Sequence, residues 1–183
     1  MMTVDTASSR VCLVRSLVSR DVQDILSIER ESFATPWTQA MVEAELQGNP
    51  FSRFLGAFSP NGGAQAELLG YLCYWVVFEE VRLMNVAVRP KNRRQGIARH
   101  LAQHALQEGQ AHGATRALLE VRASNGAACA LYQSLGFRQY SRRRAYYTNP
   151  NEDAILMHLT EQEHGECSGR TRPFQQQESP HAD

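Results

Sequence analysis

The apolar residues of the chain recur with two spacings, which alternate along its length. Alternation and short β-branched runs indicate strands, whereas apolar residues at i, i+3 and i+4 indicate helices. The pattern predicts strands at residues 11–17, 51–58, 68–77, 81–89, 116–122, 137–141 and 145–159. It predicts helices at about 20–33, 38–46, 97–113 and 125–136. This order favours an α/β fold in which helices cover the faces of a mixed sheet.

The two ends of the chain differ in composition from its middle. Residues 1–10 are small and polar, which predicts a flexible N-terminus. Residues 160–183 are polar and rich in glutamine, so we expect a disordered tail. The intervening residues 11–159 are predicted to form one domain, because 183 residues with 43% hydrophobic content suit a single core.

Charge and cysteine content narrow the possible functions. The formal net charge is +0, so no global signal favours binding to nucleic acid or to a membrane. The cysteines include no Cys-x-x-Cys pair and have no histidine cluster beside them, which argues against a metal site or a disulfide framework. They are Cys12, Cys73, Cys129 and Cys167. No signal-peptide pattern and no apolar run of about 18 residues is present, so we expect a cytoplasmic protein without a membrane span.

The stretch 83–99 joins a predicted buried strand to a basic loop and to the start of the long helix. Amide N–H groups at a helix N-terminus are unpaired and attract anions, so this arrangement suits a phosphate. Gly96 has no side chain, which lets backbone come close to a ligand. Five cations accompany it: Arg89, Lys91, Arg93, Arg94 and Arg99. The alternative is a solvated basic turn in front of an ordinary surface helix.

Three segments, taken together and in this order, resemble the GNAT N-acetyltransferases. ArgArgGlnGlyIleAla at 93–98 is similar to the loop that binds the pyrophosphate of acyl-CoA in that family. LeuGluValArgAlaSerAsn at 119–125 and AlaLeuTyrGlnSerLeuGlyPhe at 130–137 resemble its RimI branch, which acetylates the N-terminal alanine of a ribosomal protein. The resemblance extends from about residue 11 to 159. It implies a GNAT fold, whose mostly antiparallel sheet is splayed at two central parallel strands so that the cofactor enters the split.

The resemblance also implies acetyl-CoA as co-substrate, no metal, and a set of cofactor-binding residues. The backbone of Val86, Ala87 and Val88 is expected to contact the cofactor, and Asn125 matches the asparagine that binds acetyl-CoA. The residues that match the pyrophosphate loop are Arg94, Gln95, Gly96, Ile97, Ala98 and Arg99. Ala98 stands where glycine is usual, and its methyl group is expected to tighten the approach of the ligand.

Glu120 is the predicted general base. Side chains alternate along the strand at 116–122, so Leu118, Glu120 and Arg122 share a face, and both faces of this strand are mostly apolar. We therefore expect a desolvated carboxylate, which is a better proton acceptor than a hydrated one. The resemblance places the catalytic glutamate at this position. The alternative is a structural ion pair between Glu120 and Arg122.

Tyr132 is the predicted general acid. It lies seven residues after Asn125, so the two side chains lie nearly on one face of a helix, beside a core stripe formed by Leu131 and Leu135. By resemblance, this tyrosine protonates the CoA thiolate as it departs. The alternative is a half-buried core aromatic with its hydroxyl group in water.

Together these features favour an N-terminal acetyltransferase acting on the N-terminal alanine of a basic ribosomal protein, the eighteenth of the small subunit. Acidic residues near the substrate are expected to steer such a basic peptide. The candidates are Glu29, Glu31, Glu79, Glu80, Glu152 and Asp153. Two alternatives stay open: a GNAT that acetylates a small amine such as an antibiotic or polyamine, and an acetyl-CoA-binding module without turnover.

Overall fold

The computed structural model describes residues 12–60, 63 and 66–160. Seven strands within this part of the chain form one sheet: β1 (Leu13–Ser16), β2 (Ser52–Phe58), β3 (Leu68–Val77), β4 (Glu80–Val88), β5 (Arg116–Arg122), β6 (Arg138–Thr148) and β7 (Asn151–Thr160). The α-helices are α1 (Val22–Ser32), α2 (Gln39–Glu43), α3 (Ile97–Ala111) and α4 (Gly126–Gln133). The predicted flexible N-terminus at 1–10 and the predicted tail from 161 onwards lie outside the described residues. Thr160, assigned to the tail by its polarity, is the last residue of β7.

The strand order is β1-β2-β3-β4-β5-β7-β6. Neighbouring strands are antiparallel except for β4 and β5, which are parallel at the centre of the sheet. A parallel pair needs a long crossover connection, and α3 provides it. The predicted mixed, mostly antiparallel sheet with one central parallel pair is therefore confirmed.

The hydrophobic core is divided by the sheet into two clusters. On one side, Ile97 and Leu101 of α3 and Tyr132 of α4 pack in the same cluster as Leu83 and Val121 of the central strands. On the other side, the buried residues come from α1, α2 and the inner strands, and they include Ile25, Ile28, Val42, Tyr71 and Ala87. Helices thus cover both faces of the sheet, with buried side chains of β4 in both clusters and those of β5 in the first.

Local capping explains where the helices begin. The Thr38 side chain accepts a hydrogen bond from the Met41 amide at 3.3 Å, as expected for the N-cap of α2. The Asn125 side chain does the same for α4, accepting from the Ala128 amide at 3.1 Å. The predicted helix at 38–46 is only partly α-helical, because α2 continues as a π-helical segment from Ala44 to Gly48.

The predicted boundary between the last two strands was wrong. The predicted strands 137–141 and 145–159 leave the arginines at 142–144 between them, but these residues lie inside β6, and the chain reverses at Asn149 and Pro150 instead. β6 is the edge strand of the sheet and is exposed along almost its whole length. Charged side chains are common on such edges, so their presence does not mark a loop.

Candidate active site

The parallel strands β4 and β5 separate in the middle of the sheet. Their pairing runs from Glu80 and Arg116 to Leu83 and Leu119, and each strand then continues without the other. The backbone from 84 to 88 and from 120 to 122 therefore borders a cleft. This is the splayed sheet that the family resemblance implied.

A β-bulge lies on the β4 side of this cleft. Cys73 of β3 pairs with Asn85, but Tyr74 pairs with Leu83, so Met84 is the extra residue in the ladder. Bulges interrupt regular pairing and redirect the chain, and they are frequent beside active sites. The predicted cofactor-contacting backbone of residues 86–88 follows directly after this bulge, on the edge that faces the cleft.

The loop before α3 has the backbone shape of an anion site. Gly96 has a φ of 81° and Arg94 a φ of 63°, both in the left-handed region. The first helical hydrogen bond runs from the His100 amide to the Gly96 carbonyl at 3.0 Å, so the amides of Ile97, Ala98 and Arg99 are at the open end of the helix. A Cβ at Gly96 would meet no described atom within 4 Å, so the space beside this glycine is open. The loop therefore fits a pyrophosphate group.

Two of the five predicted cations are engaged elsewhere. Arg89 is ion-paired with Glu31 and donates from Nε to the Leu68 carbonyl at 2.9 Å. Lys91 is ion-paired with Glu67 at 2.8 Å. These contacts fix the loop to α1 and to the start of β3, which makes them structural.

The other three cations surround the helix start. Arg93 donates from Nε to the Val88 carbonyl at 3.0 Å, and Arg99 donates from Nη2 to the Ser134 hydroxyl at 2.5 Å. Arg99 thus ties α3 to the end of α4. Arg94 makes no hydrogen bond or ion pair with any residue of the described ranges, so its guanidinium is available to a phosphate.

Glu120 lies directly after Leu119, the last β5 residue paired with β4. Its Oε1 accepts a hydrogen bond from Nη1 of Arg143 at 2.6 Å, and 34% of its side chain is exposed. The expected desolvated carboxylate is therefore wrong, because the departure of β4 opens one face of β5. The alternative pairing with Arg122 is wrong as well, since Arg122 instead pairs with Glu152 at 3.3 Å.

Tyr132 is buried, with 6% of its surface exposed, and its ring packs edge-on against Phe137 with centroids 5.8 Å apart. The half-buried aromatic considered from sequence is therefore not what the fold contains. Burial raises the pKa of Tyr132, and the neighbouring Cys129 and Tyr147 raise it further. The hydroxyl group consequently stays protonated at neutral pH and can act as a proton donor. Asn125 lies at the other end of α4, where its side chain caps the helix.

A cavity of about 460 Å³ opens beside Glu120. Its walls come from β4, β5 and β6 and carry aromatic, apolar and cationic side chains. The lining residues are Arg82, Leu83, Met84, Leu118, Leu119, Glu120, Tyr140, Arg143, Tyr146 and Tyr147. The neighbouring Glu120 carboxylate raises the pKa of Tyr146, which lines the same cavity. The sequence pattern could not place Arg143 here, because the predicted strands end at residue 141 and resume at residue 145.

The expected cluster of steering acids does not form. Glu29 is fully buried beneath β3 and β4, and Glu80 is buried and paired with Arg116 at 3.0 Å. Glu31, Glu152 and Asp153 are ion-paired with Arg89, Arg122 and Arg142, respectively. Arginine pairing within the fold thus engages four of the six acids that were expected to face a substrate, whereas Glu79 stays exposed at the turn before β4.

Glu29 instead organises a buried polar group on the α1 side of the sheet. It accepts hydrogen bonds from the Tyr71 hydroxyl, from Nδ2 of Asn85 at 3.1 Å and from the Trp37 amide at 2.5 Å. The carboxylate thus joins α1, β3, β4 and the α1–α2 loop at one point.

The part of the chain that the structure describes contains no group of three or more histidine, cysteine, aspartate or glutamate side chains suited to a metal ion. Among the same residues, no helix is both long and apolar enough to cross a membrane.

Comparison with known proteins defines the class. The model of the Acetyltransferase (GNAT) family matches residues 22–137, so the chain belongs to this family of acetyltransferases. The [ribosomal protein bS18]-alanine N-acetyltransferase of Escherichia coli (strain K12) is 38% identical over 148 residues, which are 80% of this chain and 95% of that protein. The predicted resemblance to the RimI branch is thereby confirmed, and the chain is an N-acetyltransferase.

Solved structures agree with this assignment. The crystal structure of the ribosomal-protein-S18-alanine N-acetyltransferase from Escherichia coli matches with a TM-score of 0.73 and 34% identity, covering 88% of this chain and 99% of that one. Arabidopsis thaliana NAA60 in complex with acetyl-CoA matches with a TM-score of 0.71 and 18% identity, covering 81% of this chain and 97% of that one. The second comparison shows a shared fold.

Proposed function

We propose that this chain transfers the acetyl group of acetyl-CoA to the α-amine of the N-terminal alanine of ribosomal protein bS18. The position of Glu120 carries the proposal, because its carboxylate lies where β4 and β5 separate and on the wall of the cavity. The name of the Escherichia coli relative supports this substrate.

The α3 side of the cleft is the proposed cofactor site. The open amides of Ile97, Ala98 and Arg99, with the guanidinium of Arg94, bind the pyrophosphate; Gln95 and Gly96 shape the loop. The backbone of Val86, Ala87 and Val88 binds along the pantetheine arm, and Asn125, the N-cap of α4, is a further proposed cofactor contact. An amide N–H near Val86 stabilises the negative charge that develops on the thioester oxygen.

Glu120 is the proposed general base. It accepts a proton from the α-ammonium of the substrate, either directly or through a water molecule. An α-amine has an ordinary pKa of about 7.7–8.0, compared with about 10.4 for lysine, so a carboxylate at neutral pH deprotonates an N-terminus far more easily. This difference favours an N-terminal substrate over a lysine side chain.

Tyr132 is the proposed general acid. The neutral amine attacks the acetyl carbonyl, a carbon–nitrogen bond forms and the carbon–sulfur bond breaks. The buried hydroxyl of Tyr132, which is protonated at neutral pH, gives its proton to the departing thiolate. The attacking nitrogen releases its second proton as the amide forms, and this proton reprotonates the resulting tyrosinate through solvent. The reaction in this form requires no covalent intermediate on the protein.

The test is mass spectrometry of intact ribosomal proteins from a strain in which the gene for this chain is deleted. We expect bS18 to lose the mass of one acetyl group and to regain it when the wild-type gene, but not a Glu120→Gln gene, is restored. An unchanged bS18 mass in the deletion strain would contradict the assigned substrate. If the purified wild-type protein then acetylated small amines, the small-amine alternative would be favoured.

A further inference from the structure

The guanidinium of Arg143 occupies one oxygen of the proposed catalytic carboxylate. Nη1 of Arg143 lies 2.6 Å from Oε1 of Glu120, and both side chains line the cavity. A guanidinium N–H and an ammonium N–H donate to the same lone pairs of a carboxylate. An N-terminal ammonium arriving at Glu120 therefore competes with Arg143 for the same acceptor.

A distortion of β6 places Arg143 at this position. Arg143 pairs with Ala154 and Tyr147 with Glu152, so three residues of β6 face a single residue of β7. At the centre of this bulge Ala145 has a φ of 50°, a conformation that residues with a side chain seldom adopt. Such outliers persist where the surrounding contacts require them, and they are frequent at functional sites.

Asp153 of β7 holds the bulge in shape. Its Oδ1 accepts from the Ala145 amide at 2.8 Å and its Oδ2 accepts from Nε of Arg142 at 2.7 Å. Both carboxylate oxygens are thus used to fix the backbone next to Arg143. The contact between Arg143 and Glu120 is consequently set by a fixed backbone rather than by a mobile loop.

Arg143 contacts the Tyr146 ring while it is hydrogen-bonded to Glu120. Its guanidinium carbon lies 5.5 Å from the centroid of the Tyr146 ring, and 53% of the side chain is exposed. An arginine gains a favourable interaction over the face of a tyrosine at this distance. The side chain can therefore leave Glu120 without losing all of its contacts.

We propose that Arg143 is a positioning residue that keeps the Glu120 carboxylate directed into the cavity until the N-terminal ammonium of the substrate displaces it. This inference rests on the proposed function, because it concerns the same carboxylate and the same substrate. Its consequence is that the substrate binds against a competing internal cation. Removal of Arg143 should then strengthen peptide binding, which is the opposite of what loss of an ordinary substrate contact would do.

The experiment measures the Kd of an alanine-led basic peptide by calorimetry with CoA bound, so that no turnover is needed. For Arg143→Gln we expect the peptide Kd to fall about fivefold, whereas Arg143→Lys stays within about twofold of wild type because lysine also binds the carboxylate. The matched control is Arg144→Gln, which removes the same charge from the adjacent residue and leaves the Glu120 contact in place. It should change Kd less than about twofold.

A double-mutant cycle identifies Glu120 as the group for which Arg143 competes. In a Glu120→Gln background, Arg143→Gln should change the peptide Kd by less than about twofold. A Kd that is unchanged or raised by Arg143→Gln alone, an equal fall in Arg144→Gln, or a fall that persists in the Glu120→Gln background would each overturn the inference. If wild-type protein acetylates the peptide but Arg143→Gln does not lower the peptide Kd, only the role of Arg143 is wrong. If wild-type protein does not acetylate it, both the role and the proposed function are wrong.

Discussion

Leu83 and Leu119 form the last pair of the parallel β4–β5 ladder, and the next residues of the two strands already line a cleft. The first of these on β5 is Glu120, and on β4 the first is the bulged Met84. The point at which β4–β5 pairing stops therefore sets the position of Glu120 at the cavity. The proposed cofactor loop follows β4 directly, and so the same separation of strands connects the base to the phosphate site.

The loop before α3 gives the first prediction. Gly96→Glu should weaken acetyl-CoA binding by at least about tenfold, because a carboxylate would project into the space in front of the open helix amides and repel the pyrophosphate. The measurement is calorimetry with acetyl-CoA.

A matched control separates this effect from backbone strain. Gly113 has a φ of 89°, and a Cβ there also meets no described atom within 4 Å. Gly113→Glu should therefore carry similar strain, about 1–2 kcal/mol, while leaving acetyl-CoA binding unchanged. Equal affinity losses in the two variants would mean that Gly96 is needed only for the fold.

Substitution of the proposed base gives the second prediction. Glu120→Gln keeps the shape of the side chain but removes its basicity, so kcat for an alanine-led peptide should fall by about 10²–10⁴-fold. The affinity for acetyl-CoA should stay within a factor of about two, because Glu120 is on the acceptor side of the cleft. Glu79→Gln, at the exposed turn between β3 and β4, is the control and should be fully active. Full activity of Glu120→Gln would make the carboxylate structural.

Much of the architecture follows from sequence pattern, whereas the environment of Glu120 does not. Alternation along β5 places Leu119 and Val121 on the buried face, and the structure agrees. Whether the other face is covered depends on where β4 leaves the ladder, which is a long-range property without a local signal. The bulge in β6 has no local sequence signal either, because it depends on Asp153 in the neighbouring strand β7.

The position of Glu29 along α1 is a sequence signal for burial. It follows Ile25 and Ile28 at the helical spacing of the buried stripe of α1. A charged residue on an apolar stripe is buried when donors surround it, and here Tyr71, Asn85 and Trp37 supply them. Sequence pattern alone places Glu29 among the acids expected to steer a substrate, because acidic side chains are usually solvated.

The buried position of Glu29 leads to the third prediction. In Glu29→Gln one carboxylate oxygen becomes an NH₂ group that faces hydrogen-bond donors, so the free energy of unfolding should fall by about 1–3 kcal/mol. Asp24→Asn on the exposed face of the same helix should change it by less than about 0.5 kcal/mol. Urea denaturation measures both, and equal small effects would contradict the role assigned to the buried network.

The fourth prediction concerns the pH dependence of the proposed acid. The pKa of Tyr132 is raised above its ordinary value of 10.0 by burial, so the protonated, proton-donating form persists to higher pH. The kcat should therefore show no loss between about pH 8 and 10 from ionisation of this group. Tyr132→Phe should lower kcat at every pH in this range while its ring still packs against Phe137. An alkaline loss of kcat below pH 10 that disappears in Tyr132→Phe would contradict this assignment.

The most direct test of the central claim is a peptide panel assayed for acetyl transfer from acetyl-CoA. The panel contains an alanine-led basic peptide, its serine-led counterpart, the same peptide with a blocked N-terminus and an internal lysine, and free polyamines. The account predicts a clear preference for the alanine-led peptide and no transfer to the blocked one, because the proposed base acts on an α-amine. Equal rates on polyamines, or transfer only to lysine, would contradict it.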